Sequence, residues 1–381
     1  MVASADWPAG PEDSRFMQHA LGLAARGLGQ VWPNPAVGCV IVRQGRVVGR
    51  GWTQPGGRPH AEVVALAQAG DAARGATAYV TLEPCAHHGR TPPCSEALIA
   101  AGLARVVTAL EDPDPRVCGR GHGMLREAGI AVTTGVEGAA ARRLQSGFLS
   151  RVTQGRPMVT LKLALSLDGR IATASGESRW ITGPEARRAV HAMRAAHDAV
   201  LVGGGTARAD DPELTVRELG VARQPVRIIA ARYLDLPEGG RLASSIGVAP
   251  LWLVHGPGAQ PRRAAFWAER GARLFELPPP DARGGDGRLD PCAMLARLGQ
   301  EGLTRVFCEG GGEMAASLLA AGCVDEIAVF SAGLALGAEG RPGIGVLGLA
   351  RLAQATRFRL VEVAPVGADV LHRWIADPHP T

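Results

Sequence analysis

The sequence predicts an α/β protein built as two consecutive domains, and three observations carry that reading. The chain has 381 residues, enough for two or three domains of ordinary size. Short runs rich in valine and isoleucine alternate with amphipathic stretches, the pattern of layered α/β folds. A short polar stretch, Arg151 to Pro157, interrupts this alternation. It divides the chain into a domain over residues 1–150 and a second over 156–381.

Element by element, apolar periodicity in the first domain predicts helices at about 14–27, 61–70, 95–101, 121–129 and 137–149. Between them fall strands at 37–43, 46–52, 77–82, 105–110 and 130–134. The second domain reads as strands 158–165, 199–204, 226–231, 251–254, 305–308 and 325–331 with helices 185–196, 291–299 and 313–321. Thr182-Gly183-Pro184-Glu185 has the form of a capping box opening the helix at 185. Residues 255–290 are rich in proline and glycine, above all Leu277 to Gly287, and are expected to hold the longest surface loops. The chain has no tandem repeat.

Composition narrows the function classes. Hydrophobic residues make up 46% and charged residues 20%, an ordinary globular balance. No apolar run approaches the roughly 20 residues that span a bilayer. The N-terminus carries Asp6, Glu12 and Asp13 and no basic segment followed by an apolar one, so no secretory signal and a cytoplasmic location are expected. The net charge of +5 is mild and scattered, and seven Phe with two Tyr are too few for a stacking platform on a basic groove. Small anionic substrates fit better than nucleic acid, and no membrane is expected as a partner. Seven cysteines, an odd and widely spaced set, argue against a disulfide framework and for metal binding or burial. Lys162 is the only lysine among 41 basic residues. Lysine, unlike arginine, can give up its proton, which makes Lys162 a candidate acid.

The most specific motif is His60-Ala61-Glu62, followed by Pro84-Cys85 and then Cys94. Two thiolates and an imidazole bind Zn²⁺ tetrahedrally and leave a fourth position for water, whose pKa the metal lowers. Glu62, two residues after the histidine at a helix start, reaches that water without being a ligand and is the expected proton shuttle. His-x-Glu with Pro-Cys and a second Cys is the signature of zinc nucleobase deaminases. In most of these the cysteines are two residues apart, whereas here eight intervene, Ala86 to Pro93. His87 and His88 in that segment are alternatives to His60 as a ligand, or substrate contacts, or simply loop. Cys39 and Cys118 are expected to be structural.

The segment Pro84-Cys85-Ala86-His87-His88-Gly89-Arg90-Thr91-Pro92-Pro93-Cys94, with Pro33-Asn34-Pro35-Ala36-Val37-Gly38 upstream, closely resembles the deaminase domain of the bifunctional riboflavin-biosynthesis deaminase–reductases. The resemblance implies a cytidine-deaminase-like α/β/α layer domain and makes Asn34 a pyrimidine-contacting candidate. In the second half, Leu161 to Arg170, Gly176 to Thr182, Val202-Gly203-Gly204-Gly205-Thr206, Ala209-Asp210-Asp211-Pro212 and Cys308-Glu309-Gly310-Gly311-Gly312-Glu313 resemble, in this order, the reductase domain of the same family. That domain is similar in fold to dihydrofolate reductase. Taken alone, Gly310 to Ala315 also satisfies G-x-G-x-x-A, but a Rossmann fingerprint belongs on the first strand of its domain, so the Rossmann reading is rejected.

The resemblance covers about residues 14–376 and implies NADPH contacts at Ala164, Trp180, Thr206, Asp210, Gly311, Gly312 and Glu313. It implies substrate contacts at Ser178, Arg194, Leu214, Arg217 and Glu309, the arginines suiting a ribose 5-phosphate by bidentate pairing. The expected substrate is 2,5-diamino-6-(5-phosphoribosylamino)pyrimidin-4-one, deaminated at the 2-position and then reduced at ribose C1 by NADPH. Lys162 and Glu309 are the candidate acids of that second step. A homo-oligomer is also implied. The chain departs from the family at Ala231-Arg232, where an Asp-Ser or Asp-Thr pair is usual; an NADPH phosphate is one expectation for Arg232. The alternatives are a tRNA deaminase with an accessory domain, which calls for a compact Cys-x-x-Cys and a clustered basic face, and a structural zinc module, which calls for a fourth protein ligand.

Overall fold

Among the described residues, the strands form two large sheets of different construction and one two-stranded ribbon. The computed structural model describes residues 9–377 apart from 90–91, 116 and 280–287, and the chain divides into two compact units between Gly155 and Arg156.

In the first unit the elements are α1 (Pro11–Ala24), β1 (Gly38–Arg43), β2 (Arg46–Trp52), α2 (Ala61–Ala69), β3 (Thr77–Val80), α3 (Cys94–Ala100), β4 (Arg105–Thr108), α4 (Arg120–Glu127), β5 (Ala131–Thr133), α5 (Gly138–Leu144) and α6 (Ser146–Gln154). The sheet order is β2-β1-β3-β4-β5. β1 runs antiparallel to both β2 and β3, while β3, β4 and β5 are parallel. β1 is buried along Gly38 to Val42, as expected for a strand covered by helices on both faces. α1 is fixed to the sheet by the Asp13 carboxylate, which accepts from Arg105 Nη1 and Nη2 at 3.0 and 2.8 Å and from the Tyr79 hydroxyl at 2.8 Å.

The expected single helix over 137–149 is two helices broken at Gln145, whose amide donates to the Ala36 carbonyl at 2.7 Å. The second of them runs to Gln154, so the polar stretch expected to separate the domains begins inside a helix.

The second unit contains β6 (Met158–Leu165), β7 (Arg170–Ala172), α7 (Pro184–Ala195), β8 (Ala199–Gly203), α8 (Gly204–Asp210), β9 (Val226–Ala230), α9 (Arg241–Ser244), β10 (Leu251–His255), α10 (Pro261–Glu269), β11 (Arg273–Glu276), α11 (Pro291–Gln300), β12 (Arg305–Cys308), α12 (Gly312–Ala320), β13 (Glu326–Ser331), β14 (Arg341–Pro342), β15 (Phe358–Val366) and β16 (Asp369–Ala376). Nine strands form one sheet in the order β11-β10-β9-β8-β12-β6-β13-β16-β15. The pairs from β11 to β13 are parallel, and β16 and β15 close that end as an antiparallel hairpin.

Several expectations need correction here. The stretch 255–290 holds α10 and β11 besides loops; of its richest proline–glycine part, 280–287 lies outside the described residues. The helix expected at 185 starts at Pro184 with Gly183 as N-cap and no side-chain cap. In place of the Thr182–Glu185 box, Asp369 reaches across from β16 and accepts the Gly183 N–H at 2.7 Å. Finally, the β15–β16 hairpin lies beyond the last element read from the sequence.

Candidate active sites

The end of β2 and the start of α2 set the first site. Gly49 and Gly51 lie directly under α2: a Cβ on either would strike the Ala65 or Ala61 carbonyl. Glycine on the strand and alanine on the helix let the two backbones meet, which seats the first turn of α2 on the sheet. His60 is the N-cap of that helix, and Glu62 lies in its first turn, buried. From the other side, Cys85 lies on the loop after β3 and Cys94 opens α3.

The three candidate ligand atoms converge. His60 Nδ1 lies 3.3 Å from Cys94 Sγ and 3.7 Å from Cys85 Sγ, and all three lie within 4.8 Å of one another. Tetrahedral zinc with bonds of about 2.0–2.3 Å needs ligand atoms roughly 3.5 Å apart, so the set fits zinc. The Cys94 N–H donates to Cys85 Sγ at 3.2 Å. Hydrogen bonding from Cys94 and from His60 holds Cys85 down at about 4 in spite of burial, while the contact with Cys85 and burial push Cys94 up. Burial also raises Glu62 above the ordinary carboxylate range, which suits a group that both takes and returns protons. Among the described residues no fourth side chain joins the cluster. His88 turns to Glu96, 3.4 Å away at the exposed surface. His87 is outside the cluster, and its Nδ1 is buried without a partner among the described residues.

Asn34 is half-buried beside the turn that leads into His60. Gly57, at φ +85°, has the Asn34 side chain where a Cβ would stand, so this glycine is what admits the amide. One residue that the sequence reading missed is Glu83. Its buried carboxylate accepts four backbone N–H groups, from Asp112, Gly119, Gly121 and His122, at 2.9–3.2 Å. It thereby ties the segment before Cys85 to the start of α4. The only sequence signal was an acidic residue beside Pro84-Cys85. Glu83, Glu111 and His122 are also close together, but the backbone already occupies the Glu83 oxygens. Cys39 is buried as expected, whereas Cys118 is exposed.

In the second unit Ala164, Thr206, Glu309 and Gly311 lie at or just after the C-terminal ends of the parallel strands β6, β8 and β12, where open α/β sheets place ligands. Lys162 on β6 and Glu309, just after β12, face each other with Nζ 3.9 Å from Oε2. Arg194 from α7 grips the same carboxylate at 2.5 and 3.1 Å and donates to the Thr215 carbonyl at 2.8 Å. Its bidentate fork is therefore engaged by Glu309, and the free-phosphate geometry expected for it is not present. Burial pushes Lys162 below the ordinary lysine range. Burial would raise Glu309, but Arg194 and Lys162 outweigh it and hold the group low.

Thr206, in α8, accepts the Gly311 N–H at 3.2 Å, and the Asp210 carbonyl accepts from Arg179 at 3.0 Å. Ala164 pairs with Phe330 across β6 and β13. Ser178 is half-buried. Leu214 is buried at φ +57°, and Arg217 pairs with Glu213 at 3.1 Å on the surface. Trp180 is 68% exposed, with the Arg187 guanidinium 4.5 Å from its ring, on an open groove it shares with Thr182, Leu334 and Asp369.

The glycine turn differs from its expected use. A Cβ on Gly312 would crowd the Pro342 carbonyl, and one on Gly310 the Met314 side chain, while Gly311 faces only Thr206 at 3.6 Å. Two of the three glycines thus serve the chain's own packing. Arg232 lies over the Tyr233 ring, 4.8 Å from its centre.

Comparison with known proteins joins the two sites. Residues 11–110 match the cytidine and deoxycytidylate deaminase zinc-binding region, and residues 157–372 match the RibD C-terminal domain. The chain is 45% identical to the riboflavin biosynthesis protein RibD of Escherichia coli K12 over 368 residues, covering 94% of this chain and 98% of that one. The chain belongs to the RibD family. The RibD of Aquifex aeolicus is 40% identical over 94% of this chain and 97% of its own. Among solved structures, Acinetobacter baumannii RibD superposes with a TM-score of 0.85 at 40% identity, covering 96% of this chain and 99% of that one. A Thermotoga maritima structure, described as a diaminohydroxyphosphoribosylaminopyrimidine deaminase and 5-amino-6-(5-phosphoribosylamino)uracil reductase, superposes at 0.82 with 34% identity over 96% and 99%.

As a RibD-family chain this is a bifunctional enzyme of riboflavin biosynthesis, with a zinc-binding deaminase unit and a reductase unit of the kind that uses a nicotinamide cofactor. The second half is a RibD reductase domain and not the accessory domain that a tRNA deaminase reading required. Among the described residues no helix is long and apolar enough to cross a membrane.

Proposed function

We propose that the first unit deaminates 2,5-diamino-6-(5-phosphoribosylamino)pyrimidin-4-one and that the second reduces the resulting aminouracil with NADPH, turning its ribosyl arm into a ribityl chain. The convergence of His60, Cys85 and Cys94 beside a buried Glu62 is the observation that carries the reading. His60, Cys85 and Cys94 would hold zinc, whose Lewis acidity makes water a nucleophile near neutral pH. Glu62 takes a proton from the attacking water on a carboxylate oxygen and delivers it to the ring nitrogen and then to the departing ammonia. Its burial keeps water from competing for that proton. Asn34, held over Gly57, is positioned to hydrogen-bond a pyrimidine edge.

In the second unit NADPH supplies the hydride. Of the two acid candidates, Lys162 is favoured. Glu309 is held as an anion by Arg194, whereas burial leaves Lys162 readier than an ordinary lysine to release a proton from Nζ. Glu309 then orients Lys162, and Arg194 fixes Glu309. Arg217, partly exposed, suits the substrate phosphate better than Arg194. Thr206, Asp210, Trp180, Ala164, Gly311 and Glu313 are assigned to the cofactor, with Gly312 packing the turn against Pro342, and Ser178 and Leu214 to the substrate. Family membership supports a small-molecule substrate, a homo-oligomer and a cytoplasmic location.

The test is mass spectrometry of the product from the zinc-loaded enzyme. Without NADPH, one NH is replaced by O and ammonia appears. With NADPH, the product also gains two hydrogens. Ammonia release without the later gain of hydrogens would overturn the reductase half.

A further inference from the structure

The second unit holds a pair of thiols that no step above uses. Cys292 is the second residue of α11 and is exposed; Cys323, on the turn between α12 and β13, is buried. Their sulfurs lie 3.5 Å apart. Both face one acceptor, the Ala321 carbonyl, at 3.9 Å from Cys292 Sγ and 3.5 Å from Cys323 Sγ. Each thiol is also fixed through its backbone: the Cys292 N–H donates to Asp290 Oδ1 at 2.8 Å, and the Cys323 N–H to the Leu318 carbonyl at 2.9 Å. Arg156, paired with Asp325 at 2.7 Å, interacts electrostatically with both sulfurs.

A disulfide needs the sulfurs at about 2.05 Å. Closing the gap takes roughly 1.5 Å of movement, within reach of a side-chain rotation at the exposed cysteine. Burial of one sulfur and exposure of the other also assigns the order of events. An external oxidant reaches Cys292 first, and Cys323 can react only with a sulfur already beside it. Burial drives the Cys323 thiol up to about 12, so it stays inert toward solvent reagents until its neighbour carries a leaving group.

We propose that Cys292 and Cys323 form a redox modification site, a dithiol that a small-molecule disulfide such as oxidised glutathione converts to an intramolecular disulfide. The Cys292 thiolate attacks one glutathione sulfur, forming a mixed disulfide and releasing one glutathione thiolate, which takes up the Cys292 proton. The Cys323 sulfur then attacks Cys292 Sγ. The second glutathione leaves with the Cys323 proton. Two protein thiols are oxidised and one glutathione disulfide is reduced to two thiols. The new bond joins the start of α11 to the turn before β13. It encloses β12, Glu309 and the Gly310–Gly312 turn within one covalent loop.

The experiment uses the full zinc-loaded chain with oxidised glutathione as the probe, followed by non-reducing peptide mass spectrometry. The expected result is a cross-linked peptide pair containing Cys292 and Cys323, lighter by two hydrogens than the free peptides and released by a dithiol reductant. Cys323→Ser should leave Cys292 carrying a persistent glutathione adduct. Cys292→Ser should leave Cys323 unmodified. A stable glutathione adduct on Cys292 in the unsubstituted chain, or a cross-link from Cys292 to the other exposed cysteine, Cys118, would overturn the proposal, as would Cys292 remaining a free thiol throughout.

Discussion

The two sites handle charge in opposite ways. At the first, Cys85 is held as an anion beside a second thiol, an imidazole and a buried carboxylate; the donors outnumber any positive charge near them and ask for an added cation. At the second, Lys162, Arg194 and Glu309 close on one another, so the charges are answered from within. The first site is built around something it must bind. The second is organised before any ligand arrives, and its protein groups tune each other. Loss of one member should therefore disable the first site chemically while leaving its fold, but should disturb both chemistry and stability at the second.

The largest expected effect is Glu62→Gln. Removing a positioned proton shuttle should lower deamination by about 10³-fold or more, read by ammonia release. Zinc content by atomic absorption and NADPH oxidation with the aminouracil should be unchanged. Loss of zinc would mean that the carboxylate is part of the metal site and would blur the contrast just drawn.

Next comes Lys162→Arg, which keeps the charge and removes the proton that can be given up. Reduction should fall by about 10²-fold with deamination intact. The pH profile sharpens this. Burial lowers Lys162, so the protonated, donating form disappears as pH rises through a value below the ordinary lysine range. Reduction by the unsubstituted enzyme should show that falling limb, and the arginine variant should lack it.

Arg194→Met tests whether the second site is internally balanced. Breaking a largely buried pair should cost the second unit about 3 kcal/mol, read from its own denaturant transition. It should also remove the cation that competes with Lys162 for Glu309, moving the same pH limb upward because Lys162 no longer shares the carboxylate. An unchanged transition would mean that solvent screens the pair.

The smallest effects separate the glycines. Gly312→Ala should destabilise by about 2 kcal/mol because its Cβ meets the backbone at Pro342. Gly311→Ala, with Thr206 as its nearest neighbour at 3.6 Å, should change stability by less than about 0.5 kcal/mol and weaken NADPH binding instead. Equal stability losses would remove the distinction between packing and ligand glycines.

Some elements were legible from local chemistry and some were hidden by it. The eight residues of β6 were readable because the apolar run from Met158, buried on both faces as far as Leu161, has no competing pattern. α10 was hidden because its proline–glycine surroundings read as loop, although Pro261 stands at the first helical position, where proline favours a helix. The β15–β16 hairpin escaped because β15 leaves side chains of both faces partly exposed, so neither a buried run nor a clean alternation marks it.

By itself, the sequence narrowed the donor set to two cysteines and one histidine, with His60 favoured over His87 and His88 because it pairs with Glu62 at a helix start. Histidine, two cysteines and a glutamate at the right spacing have one common use, because the preferences of a metal ion act on atom types that any reader of the chain can see. Only the tertiary structure decided that Arg194 closes on Glu309, that Gly312 packs against Pro342, that Asp369 caps α7 and that Cys292 meets Cys323. Each joins residues about 30 to 190 apart in the chain. No local preference encodes such a pairing; it exists because the order of strands in a sheet brings distant ends to one place.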